Sequence, residues 1–129
     1  MFIIQKEFHF EASHRLKGLS EGHVCSRLHG HSYRVIFTLK KTTIDEVGFV
    51  RDYRELDAIK EWIDANLDHQ DLNTVLHFNP TAERIAHFLY EKFMDQIPEL
   101  TAVTVKETEK TSATYEPYLV GHKQPVFTR

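Results

Sequence analysis

One cysteine, Cys25, stands in 129 residues, and a single thiol cannot close a disulfide within its own chain. There is no basic excess. Sixteen lysines and arginines against nineteen aspartates and glutamates give a formal charge of -3, which argues against an extended nucleic-acid surface and leaves room only for a local anion pocket. The start, Met1-Phe2-Ile3-Ile4-Gln5-Lys6-Glu7, has no basic region followed by a long apolar run, so neither a targeting segment nor a membrane partner is read there. Repeats and low-complexity segments are also missing. What remains is ordinary for a globular protein, 41% hydrophobic and 27% charged. It reads as one cytoplasmic domain over residues 1–129 with a free thiol.

The informative stretch is Cys25-Ser26-Arg27-Leu28-His29-Gly30-His31, which sets the only cysteine four residues before a histidine pair. If Gly30 lies in extended chain, His29 and His31 share a face about 7 Å apart, because strand side chains alternate. Tyr33, Val35, Phe37 and Leu39 continue that parity, whereas Ser32, Arg34, Thr38 and Lys40 are polar on the other, so a strand with a buried face is predicted over about residues 31–40. An earlier strand, residues 2–14, alternates through Ile4, Phe8, Phe10, Ala12 and His14 and ends in imidazole. Residues 15–24 form a glycine-containing loop that returns Cys25 towards His14.

Two helices follow. Asp52, with Glu55 three residues on, is a capping-box variant opening a helix whose stripe is Leu56, Ile59, Ile63 and Leu67. Asp68-His69-Gln70-Asp71-Leu72-Asn73 then reads as a polar loop. Asn79-Pro80-Thr81-Ala82-Glu83 opens the second helix, with Asn79 or Thr81 as N-cap and Ala82, Ile85, Ala86, Leu89 and Phe93 as its buried stripe. Val103, Val105 and Glu107 alternate in a third strand, Ala113 to Leu119 makes a fourth, and residues 120–129 are a tail. The order predicts an α+β fold, an antiparallel four-stranded sheet with two helices on one face. Such a sheet leaves a face and its edges open, and Tyr33, Val35 and Phe37 cannot all be solvated cheaply, so a homo-oligomer is expected.

Three histidines are a sufficient ligand set for a catalytic zinc ion with its fourth position open, and His14, His29 and His31 are the candidates. His9, His23, His77, His87 and His122 read as surface or hydrogen-bonded residues. Cys25 has three readings: a fourth ligand closing the site, a base or nucleophile beside it, or a small buried hydrophobe. Asp68 next to His69 is a candidate proton relay, or a charged helix end. Glu107 lies where the parity demands an apolar side chain, and a buried carboxylate needs a donor pair, met by the guanidine-like edge of guanine or pterin or by an arginine.

Together, Cys25-x-x-x-His29-Gly30-His31, Phe10-Glu11-Ala12-Ser13-His14-Arg15-Leu16, Leu67-Asp68-His69, Asn79-Pro80-Thr81-Ala82-Glu83 and Val105-Lys106-Glu107-Thr108 resemble the 6-pyruvoyltetrahydropterin synthase family. The three-residue gap after Cys25 is similar to the bacterial branch, 6-carboxytetrahydropterin synthase of queuosine biosynthesis. The resemblance covers about residues 4–119. It implies a tunnelling fold whose sheets join into a barrel in a homo-oligomer, a hexamer of two trimers with active sites between subunits. It implies zinc on His14, His29 and His31, Cys25 as proton acceptor, Asp68 and His69 as a relay, and Glu107 holding the pterin ring or joining that relay. The implied reaction turns 7,8-dihydroneopterin triphosphate into 6-carboxy-5,6,7,8-tetrahydropterin, acetaldehyde and triphosphate; formation of 6-pyruvoyltetrahydropterin is the alternative enzyme, and a zinc-stabilised binding protein the alternative without turnover. Arg51, where the family usually has an apolar residue, and the long tail depart from the pattern.

Overall fold

The computed structural model describes residues 1–118. Its elements are β1 (Phe2–His14), β2 (His29–Lys41), α1 (Asp57–Asn66), β3 (Gln70–Asp71), a single-turn α2 (Leu72–Val75), α3 (Ala82–Phe93), β4 (Leu100–Lys106) and β5 (Ala113–Tyr115). The sheet order is β3-β1-β2-β4-β5. β1 and β2 pair antiparallel along their whole length, from Phe2 opposite Lys41 to His14 opposite His29, so this two-stranded ribbon is the frame on which everything else is placed.

The alternation read from the sequence holds. Phe8, Phe10, Ala12 and His14 of β1 and Tyr33, Val35, Phe37 and Leu39 of β2 are buried. They form one core with Leu56, Ile59 and Ile63 on the α1 side and Ile85, Ala86, Leu89 and Phe93 of α3. Phe37 meets the Phe93 ring edge-on at 5.8 Å. The expectation that Tyr33, Val35 and Phe37 need a second subunit to cover them is therefore corrected: all three are at 0% exposure within one chain, because their parity is the one that faces the helices. The opposite face is the polar one.

The four-stranded antiparallel sheet is likewise corrected, to five strands of mixed direction. The extra strand, β3, runs parallel to β1, with Ala12 opposite Gln70 and Ser13 opposite Asp71. Two residues are too short to show a period, and the polar stretch that reads as a loop conceals them, together with α2. Pro117 explains why β5 ends at Tyr115 rather than continuing: proline has no N–H for the ladder and restricts the residue before it. Leu119 and the tail lie outside the described residues.

The first predicted helix opens differently. Asp52 does cap, accepting from Arg54 N at 2.9 Å, but it caps a 3-10 turn over Tyr53–Leu56 that leads into α1. Glu55 closes no capping box; it pairs with Arg51 at 2.8 Å. Thr81 rather than Asn79 caps α3, accepting from Arg84 N. No helix of the described residues is long and apolar enough to cross a membrane.

Arg51 has a structural reason. Its guanidinium lies 2.8 Å from Glu99 as well as from Glu55, tying the start of the α1 segment to the approach to β4. Burial pushes the Glu99 carboxyl up, but hydrogen bonding and charge from Arg51 outweigh it and hold the group below its ordinary value. A depressed carboxylate contributes stability above its unfolded pKa and loses it as pH falls through the native one. Arg51→Ala is therefore expected to destabilise the fold by about 1–3 kcal/mol near neutral pH, with a smaller difference in acid. Urea unfolding of both proteins at two pH values checks it.

Candidate metal centre and active site

His14 ends β1 directly opposite His29, and His31 lies opposite Ala12 on the same face, so strand register alone converges three imidazoles on one end of the sheet. The Nδ1 hydrogens are already committed. His14 Nδ1 is 2.8 Å from the Pro80 carbonyl oxygen, and His29 Nδ1 is 2.7 Å from that of Arg27; a carbonyl only accepts, so each Nδ1 carries the proton. The Tyr33 hydroxyl adds a second contact at 3.2 Å to His14 Nδ1. Burial, with the Glu107 carboxylate, pushes that phenol far up, so it stays a neutral hydroxyl.

This assigns lone pairs to the inward nitrogens of His14 and His29. His14 Nε2 and His29 Nε2 face each other at 3.0 Å, and His31 Nε2 is buried without a hydrogen-bond partner. Lone pairs repel at that distance unless a cation lies between them. Nitrogens of a tetrahedral zinc site with 2.0–2.1 Å bonds stand roughly 3.3 Å apart, and all three atoms lie within 4.8 Å of one another. The donors fit a first-row divalent metal. Carbonyl anchors such as those behind His14 and His29 are what fixes tautomer and orientation in such sites. Burial lowers the His31 pKa, Glu107 raises it in part, and His14 and His29 lower it again; the net shift favours the neutral, ligating form.

Glu107 follows β4 and turns inward as its parity requires. Its Oε1 accepts from Ala82 N at the start of α3, 3.1 Å, where the exposed amides of a helix N-terminus favour an anion. Its Oε2 lies 3.2 Å from His31 Nε2 and 3.8 Å from His14 Nε2, without alignment as a hydrogen bond to His31. No arginine partners it among the described residues.

Asp68 and His69 do touch. Asp68 Oδ2 is 2.9 Å from His69 Nδ1, while Asp68 Oδ1 accepts from Glu11 N at 2.9 Å. That backbone bond, opposed by burial and aided by His69, holds the Asp68 carboxyl below its ordinary value. His69 has φ +59°, the only positive value among described non-glycine residues, and its own N–H donates to Glu11 O at 2.6 Å. An uncommon backbone state held by bonds on both sides is a costed feature. The turn aims an exposed imidazole over a shallow cavity of about 470 Å³ lined by Glu11, Ser13, His31, Ser32 and Asp71 among others.

Cys25 sits in a 3-10 turn over Val24–Ser26 and is outside the cluster of mutually close ligand atoms. Its carbonyl accepts from Leu16 N at 2.9 Å, which ties its turn to the chain leaving His14.

Comparisons with known proteins identify the family. The profile of the family described as 6-pyruvoyl tetrahydropterin synthase matches residues 3–118. The chain belongs to that family. It is 42% identical over 122 residues to 6-carboxy-5,6,7,8-tetrahydropterin synthase of Synechocystis sp., covering 89% of this chain and 93% of that one. Against the protein of the same name from Bacillus subtilis, identity is 30% over 129 residues, with 90% and 86% covered. A Pyrococcus furiosus relative named dihydroneopterin monophosphate aldolase is 32% identical over 91 residues, covering 69% of this chain and 72% of its own. The solved structure of Caenorhabditis elegans 6-pyruvoyl tetrahydropterin synthase superposes with a TM-score of 0.79 at 26% identity, over 91% of this chain and 96% of that one.

The centre makes a direct prediction. His29→Ala removes one of three converging donors and is expected to lose the metal, whereas Cys25→Ala keeps close to one metal per chain; elemental analysis of the purified variants checks both. Loss of metal from the cysteine variant would make the site closed and structural.

Proposed function

We propose that this chain is a zinc-dependent 6-carboxy-5,6,7,8-tetrahydropterin synthase, a carbon–carbon lyase converting 7,8-dihydroneopterin triphosphate to 6-carboxytetrahydropterin, acetaldehyde and triphosphate in cytoplasmic queuosine biosynthesis. The observation that carries the reading is the convergence of three Nε2 atoms, those of His14 and His29 left unprotonated by the carbonyls at Nδ1, in a chain this similar to the Synechocystis protein of that name. When bound, zinc supplies Lewis acidity that makes the hydroxyl and adjoining C–H protons of the substrate side chain easier to remove.

The chain's own groups account for the rest. Cys25 takes the proton; its position outside the ligand cluster leaves the sulfur free for that work. His69 returns a proton, with Asp68 at 2.9 Å orienting its ring. Glu107 is fixed through Oε1 on the Ala82 amide, so Oε2 is held in place to accept from the donor edge of the pterin ring or to share a proton with the relay.

The protein works as a homo-oligomer, a hexamer of two trimers. Phe2 and Ile3 at the start of β1, and Ile44, Val47 and Phe49 after β2, are exposed apolar side chains that an interface would cover. His69, with a side chain 79% exposed, is placed to serve a site completed by a neighbouring subunit.

The substrate and product settle the reading. Incubation of the zinc-loaded protein with 7,8-dihydroneopterin triphosphate is expected to release acetaldehyde and leave a carboxylated tetrahydropterin, read by mass. A pyruvoyl product without acetaldehyde makes it the sister enzyme, and no consumption leaves a zinc-stabilised binding protein. His69→Ala is expected to cost about 10²-fold or more in turnover with metal content unchanged. Glu107→Gln is expected to weaken pterin binding about 10-fold, since an amide replaces a charged acceptor; a fall in turnover with binding unchanged places Glu107 in the relay instead. Light scattering on the same preparations is expected to show the oligomer, and a monomer at micromolar concentration would refute it.

A further inference from the structure

We infer that His23, Asn73 and Asn79 are positioning residues for Cys25, holding the turn that carries its thiol against the chain that leaves the metal centre. The inference rests on the role proposed above for Cys25 as proton acceptor. A general base has to lie within hydrogen-bond reach of the proton it removes, and a displacement of about 1 Å can cost about 10²-fold in rate. The three histidines do not supply that placement, because Cys25 lies outside their cluster of ligand atoms. Nor does packing supply it, since the side chain is only half-buried in a three-residue turn, Val24–Ser26, that buries none of its members. The placement comes from the backbone.

Both backbone groups of Cys25 are bonded beyond the turn itself. Its N–H donates to His23 Nδ1 at 3.0 Å, the bond that an N-cap side chain makes to the second residue of a helical turn. Histidine is not among the usual N-caps, which are serine, threonine, asparagine and aspartate, so His23 takes this place through an accepting ring nitrogen. The Ser26 hydroxyl donates back to the His23 carbonyl at 2.6 Å. On the other side, the Cys25 carbonyl accepts from Leu16 N at 2.9 Å. The far end of the turn is closed by Arg27 N on Val24 O at 3.1 Å. The Arg27 carbonyl is also the acceptor of His29 Nδ1, so the turn and the metal centre share a residue.

Leu16 is itself held. Arg15 N donates to Asn73 Oδ1 at 2.7 Å, and Asn73 Nδ2 donates back to Arg15 O at 3.0 Å. Lys17 and Asn79 repeat the exchange at 2.9 and 3.0 Å. Exchange of both bonds between two residues is the pattern of an antiparallel ladder, in which alternate residues turn their polar groups to opposite sides. Residues 15 and 17 thus face two asparagines while Leu16, between them, faces Cys25. The run beyond His14 keeps the bonding of a strand although no strand of the sheet pairs with it. Asn73 belongs to α2, and Asn79 precedes the Pro80 whose carbonyl anchors His14. Cys25 is therefore located by segments that are already fixed against the metal centre.

The test reads the thiol directly, because Cys25 is the only cysteine. Alkylation by iodoacetamide is followed on the full-length, metal-loaded protein and on its His23→Leu, Asn73→Leu and Asn79→Leu variants. Metal content, urea unfolding, and kcat and KM on 7,8-dihydroneopterin triphosphate are measured on the same preparations. Each variant is expected to be alkylated several-fold faster, to keep close to one metal per chain, and to lose about 10-fold or more in kcat with KM little changed. His23→Asn, which keeps an N-cap acceptor, is expected to return both rates towards wild type. Unchanged alkylation, loss of metal together with faster alkylation, or faster alkylation accounted for by lower stability in urea overturns the proposal, as does a His23→Asn protein alkylated as fast as His23→Leu. If wild type converts substrate and the variants keep its kcat, the positioning role falls while the proposed activity stands. If alkylation and its rescue follow as expected but wild type converts nothing, the frame around the thiol stands and the proposed activity falls.

Discussion

His14 is fully buried yet presents an unprotonated nitrogen 3.0 Å from a second one on His29, and that mutual repulsion, relieved only by a cation, is the constraint the rest of the fold serves. It arises from pairing: β1 and β2 are in register so that their two terminal histidines are opposite each other. Carbonyls of Arg27 and Pro80 then fix the tautomers from outside. One of those carbonyls lies in the approach to β2 and the other before α3, so the docking of α3 against the sheet and the electrostatics of the centre are a single arrangement. Moving α3 would release the His14 ring and, through Ala82, the Glu107 carboxylate as well.

The same economy governs the second half of the site. Glu11 uses both backbone groups, the N–H on Asp68 and the carbonyl on His69, to hold a left-handed residue beside the sheet edge. His69 thereby escapes the direction that the end of α1 would give it. Beyond His14, Asn73 and Asn79 satisfy backbone groups that the sheet no longer can. Unpaired amides this close to a core are costly, and their satisfaction by side chains lets an irregular segment behave as a rigid one.

Much of this was legible in the chain. Period-two alternation from Ile4 to His14 and from His29 to Leu39 identifies the core strands and their inward face, and period-3.6 stripes identify α1 and α3, because burial selects side chains one at a time along each element. The sequence also pairs His29 with His31 and marks Glu107 as a carboxylate at an apolar position. It does not reveal β3: two polar residues carry no period, and only the His69 turn and the Glu11 bonds make them a strand. Nor does it say which layer covers Tyr33, Val35 and Phe37, since an apolar parity states that a face is buried and not what buries it.

What the sequence determined by itself, then, is local: which residues alternate, where the helical stripes run, and which side chains carry chemistry, all consequences of backbone geometry over a few residues. What only the tertiary structure decided is long-range. The proton positions on His14 and His29 follow from carbonyls 66 and 2 residues away. The fate of Asn79, read as a helix cap and found bound to Lys17 across 62 residues, follows from where the chain folds back. Hydrogen-bond partners are set by which segments meet in space, and a linear pattern holds no record of that meeting.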